Sequence, residues 1–141
     1  MRTFYIFYIN EEFKILNKEN PYNLFKALEQ IYYLDKEEIS LGVALFETIA
    51  IPFDLDNLNK FVFDNYKDND FYTNNRNTHK IYNKYRDETL LLKTSKTYMQ
   101  LKTNIRKSDY LKNIAINNNL FVCDFHNKDY FWIDKILTFN S

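Results

Sequence analysis

The residues best suited to chemistry fall within one short stretch. NLFVCDFHNKDYFWIDK, Asn119 to Lys135, holds the lone cysteine, Cys123, one of two histidines, His126, and the carboxylates Asp124, Asp129 and Asp134. A thiol nucleophile needs a base beside it and a group that orients the base. The neighbours Phe121 and Val122 instead describe an inert thiol packed in a strand. A zinc site needs about four converging ligands. Cys123 and His126 stand three apart across a strand end and a turn, so their side chains diverge, and no CxxC or HxxxH accompanies them. Asp124 and Asp129 flank a hairpin, where acids commonly serve the backbone. The enzymatic alternative is a metal-dependent hydrolase, which requires Asp124, Asp129 and Asp134 to gather around a cleft. The aromatics of the stretch could stack bases, but none of the arginines (Arg2, Arg76, Arg86, Arg106) is interleaved with them. Trp132 reads as a core anchor whose indole N–H needs one partner.

The rest of the chain narrows the chemistry further. Its one glycine, Gly42, sits inside a helical pattern, which excludes a Gly-rich phosphate loop or a dinucleotide fingerprint. Nineteen basic and nineteen acidic residues give a formal net charge of zero. That balance argues against direct nucleic-acid binding through phosphates, although a local basic patch is compatible with it. The 141 residues suit one domain, 1–141, and 45% hydrophobic residues can fill its core. A lone cysteine excludes an internal disulfide and fits a reducing compartment. MRTFYIFYINEEF is too short an apolar run for a signal segment, and no run approaches the roughly 20 residues of a membrane span. The expectation is a soluble, cytoplasmic protein without membrane contact.

These residues must be positioned by regular elements. TFYIFYI, 3–9, predicts a strand with Phe4, Ile6 and Tyr8 on one face and Tyr5, Phe7 and Ile9 on the other, hence covered on both sides. Glu11 and Glu12 open a short helix carrying Phe13 and Leu16. Asn20 as cap and Pro21 at the first helical position begin a helix with Leu24, Leu28, Ile31 and Tyr32 at helical spacing. Asp35, Glu37 and Glu38 open the next helix, and Pro52 marks its end. That helix carries two apolar stripes, Ile39, Val43, Phe46 and Ala50 on one, Leu41, Leu45 and Ile49 on the other. A wide core face accounts for both most simply, and a partner surface is the alternative. Asp54 opens a helix with Leu58, Phe61 and Val62. Residues 67–80 read as a polar loop containing His79, followed by a short element at 81–85. Leu90–Lys93 and Thr97–Leu101 predict a hairpin. A helix near Ser108 or Asp109 carries Leu111, Ile114 and Ile116. Leu120–Phe125 and Tyr130–Ile133 are strands. The sum is an α+β domain, a small antiparallel sheet with helices packed on it, whose first and last strands meet.

Two blocks together resemble a known family, the sporulation inhibitor of replication (SirA) proteins. FYIFYINEEF is similar to that family's opening, an aromatic strand running into a Glu-Glu-Phe helix start. LFVCDFHNKDYFWID is similar to its closing hairpin, here Asp124, Phe125, Lys128, Tyr130 and Trp132. TIAIPFDLDNLNKF and TLLLKTSKTYMQLK stand where the family has an Ile-Pro segment and an apolar hairpin. The order holds from about Phe4 to Ile133. The resemblance implies a non-enzymatic protein that binds domain I of the replication initiator DnaA and inhibits initiation of DNA replication; the further expectations are a monomer with no cofactor and no metal. Its implied partner-binding residues are Phe13 and, on the helix before the Ile-Pro segment, Phe46 and Val43. Val43 replaces a polar residue of the family, so an amide-mediated contact at that position is lost and a changed or co-varied partner follows. The alternative in the same fold is a phage or mobile-element protein directed at another host factor.

Overall fold

The computed structural model describes residues 1–34, 39–105 and 109–135. Asp35, Glu37, Glu38 and Ser108, expected at helix starts, lie outside them, as do the side chains of Ile39, Leu41 and Asp109. In chain order the elements are β1 (Arg2–Tyr8), α1 (Glu11–Asn17), α2 (Tyr22–Tyr32), α3 (Ile39–Ile49), α4 (Leu55–Tyr66), β2 (Tyr72–Asn75), β3 (Thr78–Asn83), β4 (Glu88–Thr94), β5 (Met99–Thr103), α5 (Asp109–Lys112), β6 (Leu120–Asp124) and β7 (Asp129–Trp132). The strands form one antiparallel seven-stranded sheet in the order β2-β3-β4-β5-β1-β6-β7. The class is α+β, as the sequence predicts.

β1 occupies the interior position its two-sided apolar pattern demands. Tyr5 pairs with Gln100 of β5 and with Cys123 of β6, which joins the first strand to the last hairpin. On one face Ile6 packs with Leu58, Val62, Leu90, Leu101, Val122 and Ile114 beneath α4. On the other, Phe7 packs with Leu24, Phe25, Leu28, Ile49, Phe121 and Trp132 beneath α2 and α3. Each large side chain fully buried in these layers contributes about 1.5–3 kcal/mol. The Trp132 indole N–H donates to the Asn17 carbonyl at 3.3 Å, the single partner it needs.

Several local expectations change. Helix α2 starts at Tyr22, with Pro21 at the cap position and no side-chain cap, so Asn20 does not cap it. Caps do form elsewhere: Asn10 accepts from the Phe13 N–H, and Asp54 from the Asn57 N–H. The stretch 67–80 is irregular only as far as Phe71. Beyond it β2 and β3 form a tight hairpin, with Asn75 opposite Thr78 and Arg76 in the left-handed region at φ 52°. His79 is consequently buried rather than solvated. Its Nε2 donates to Asn59 Oδ1 at 2.8 Å, and its Nδ1 accepts from the Tyr72 hydroxyl at 2.6 Å. The helix expected beyond Asp109 is a single turn. Ile114 is buried after it, in turns.

Candidate protein-docking groove

Helix α3 leaves an apolar surface in solvent. Its buried side combines Gly42 with Ile49, followed by Ala50 just past its end, and Phe46 is half-buried beside them. One residue of each predicted stripe, Ala50 and Ile49, is therefore core. Val43 and Leu45 are left 51% and 45% exposed. The wide core face does not hold for the described side chains of this helix.

Val43 and Phe46 line a groove of about 620 Å³ between α3, the end of α2 and the turn before β5. Its floor is β1, through Tyr5 and Phe7. Alternation along β1 sends both rings to the α2–α3 side. Phe7 meets Phe46 with ring centroids 5.8 Å apart. Tyr5 touches Tyr32 at 4.9 Å and Tyr98 at 5.5 Å. Its hydroxyl accepts from Gln100 Nε2 at 2.9 Å and meets the Tyr32 hydroxyl at 3.1 Å. That contact, with burial, pushes the Tyr32 phenol up to about 12, so it stays neutral near pH 7. Gly42 permits the close packing of α3 on the end of α2, since a Cβ there would lie 2.7 Å from Leu34 Cδ1. Glu47 and Lys96 supply the groove's charged rim.

Phe13 is not among the groove's lining residues. It sits half-buried on α1, against the same core layer as Phe46. The two helices are tied by Asn10, whose N–H donates to the Ile49 carbonyl at 2.9 Å and whose Nδ2 donates to the Thr48 carbonyl at 2.7 Å. α1 buries none of its residues completely and leaves Ile15 and Leu16 in solvent at 67% and 76% exposure. Leu16, one turn on from Phe13, thus gives it an exposed apolar neighbour outside the Val43–Phe46 groove. Sequence spacing did not identify Tyr98 or Tyr32 as groove residues. The alternation that separates Tyr5 and Phe7 from Ile6 is the signal that could have located the floor.

Of the residues considered for chemistry, His126 lies exposed in the turn between β6 and β7, while Cys123 and the three carboxylates are buried or engaged. Cys123 is buried, and burial followed by the nearby Glu29 carboxylate pushes its thiol well up, away from the reactive thiolate. Asp124 is 1% exposed. Burial alone would raise its carboxyl, yet hydrogen bonds from the Asn127 side chain and N–H and from Arg2 Nε hold it below the usual range. Arg2 Nη2 also reaches Asp129 at 2.9 Å, and Lys14 reaches Asp134 at 3.2 Å. Glu29 is held low by Lys128 first and then Lys26. Among the described residues no group of three His, Cys, Asp or Glu side chains converges as metal ligands. No helix among them is long and apolar enough to cross a membrane. Neither a protein-family model nor a curated protein matches the sequence.

Proposed function

We propose that this chain is a non-enzymatic, cytoplasmic inhibitor of DNA replication initiation that seats on domain I of the initiator DnaA. It blocks, by occupancy, a surface that DnaA assembly or another partner requires. The observation that carries this reading is α3 itself, a helix that turns Val43 and Leu45 to solvent and lines an apolar groove with Val43 and Phe46. A few apolar anchors around a cleft suit a small regulatory interface. The exposed Leu16, one turn on from Phe13, gives a second contact on α1. Val43 in place of a polar residue makes the interface more apolar than the resemblance implies. The same groove on a phage-encoded protein would take another host factor. Isothermal calorimetry of the full chain against DnaA domain I from the same organism tests the reading. Saturable one-to-one binding supports it. No heat and no co-migration at high concentration remove DnaA as the partner.

A further inference from the structure

Helices α1–α3 cover the second face of the sheet over β1, β6 and β7, while the same face of β3, β4 and β5 is open among the described residues. Alternation decides what the open part displays. Ile81, Leu90, Leu92, Met99 and Leu101 turn into the α4 layer, so Lys80, Tyr82, Leu91, Lys93, Gln100 and Lys102 turn outward. Register places Lys80 and Lys102 on either side of Leu91, with Lys93 opposite Gln100 in the next row. Strand spacing and rise then set the three lysines at the corners of a triangle with sides of about 8–10 Å. Strands β2 to β5 contain one carboxylate, Glu88, and it shares the parity of Leu90 on the other face. None of the three lysines joins an ion pair among the described residues. A chain of zero net charge has therefore separated cations onto one uncovered surface.

Aromatic rings stand at both ends of that surface. At one end Tyr82 is 51% exposed, with the Lys80 ammonium 5.8 Å from its ring centre. At the other, a cavity of about 340 Å³ is lined by Tyr32, Tyr33, Gln100, Lys102 and His126. Tyr33 is 59% exposed. We propose that the open β3–β5 face binds single-stranded nucleic acid, with Lys80, Lys93 and Lys102 on successive phosphates and bases stacked on Tyr82 and Tyr33. An acidic peptide would use the lysines but not the rings. A bilayer would want an apolar wedge, and this face offers only Leu91 between its lysines. Zero net charge rules out a uniformly basic protein, not a segregated basic face. Tyr32 borders both sites, but Val43 and Phe46 line only the groove, so substitutions there separate this surface from the DnaA reading.

Fluorescence anisotropy of the full chain with labelled oligothymidylate and oligouridylate tests this. Three phosphate contacts to a single strand predict a roughly twentyfold loss of affinity between about 50 and about 200 mM salt. The triple variant Lys80→Glu, Lys93→Glu, Lys102→Glu abolishes binding, and Tyr82→Ala and Tyr33→Ala each weaken it about tenfold. Val43→Asp leaves it unchanged. Lys102 is half-buried and the other positions are exposed, and circular dichroism melts verify that the variants fold. No anisotropy change for the wild type at about 50 mM salt overturns the proposal, as does a triple variant that binds normally. Displacement by polyglutamate or phosphatidylserine vesicles at matched charge, with the tyrosine variants silent, overturns it in favour of an acidic protein or a membrane.

Discussion

Phe46 packs its ring 5.8 Å from that of Phe7, the apolar floor of the groove, so one of the side chains assigned to docking is also part of the core. Val43, one turn earlier and lining the same groove, is 51% exposed. The two positions should therefore separate stability from binding. Phe46→Ala should lower stability by about 2 kcal/mol through lost packing and weaken DnaA domain I binding as well. Val43→Asp should leave the melting curve nearly unchanged and reduce affinity at least tenfold, about 1.4 kcal/mol. Thermal melts and calorimetry on both variants make the comparison.

Asn10 should matter more than an exposed loop residue does. It caps α1 through the Phe13 N–H and ties α1 to the last turn of α3 through the Thr48 carbonyl. Asn10→Ala removes both bonds and should cost about 1–2 kcal/mol, read from urea unfolding. Asn10→Asp keeps the cap but not the donor to Thr48, and should recover part of the loss.

Acidification should destabilise the fold first through His79. Burial lowers its folded-state pKa, and its ring is held neutral between Tyr72 and Asn59. The unfolded chain therefore binds the proton first. The stability is fully present above the unfolded value of about 6.5 and is lost as pH falls toward the lower folded value. Urea unfolding at pH 7.5 and 5.5 should show the decline, and His79→Gln should flatten it.

A second decline should follow below pH of about 4. The Asp124 carboxyl is held low by Asn127 and Arg2, so the stability it contributes is present above its unfolded value and lost as pH falls through its folded one. Asp124→Asn keeps an acceptor for the Asn127 N–H but loses the charge. It should cost about 1–3 kcal/mol at pH 7 and much less at pH 3, again by urea unfolding.

The parts of this fold legible in the sequence are those where side-chain period and burial agree. β1 is apolar on both faces and sits inside the sheet, and Asp54 and the 90–101 hairpin follow ordinary cap and strand chemistry. The β2–β3 hairpin was hidden because β2 is an edge strand whose residues are mostly in solvent, so Tyr72-Thr-Asn-Asn carries almost no hydrophobic alternation. Its structure comes from the ladder to β3 and the buried His79 network, which are non-local. The Val43–Phe46 pairing was legible from helical spacing. Its separation from Phe13 was not, because that depends on where α1 lies against α3. The lysine face was invisible to a charge count, since a sum over residues discards the strand register that gathers Lys80, Lys93 and Lys102.

Residue-level NMR of the isotopically labelled full chain, titrated with unlabelled DnaA domain I, maps the docking surface itself. Amide shifts should concentrate on Val43, Phe46, Glu47 and Tyr98 around the groove, with Leu16 following on α1. Saturating DnaA domain I with no shifts at those residues, or with shifts confined to β2–β4, would contradict the proposed docking.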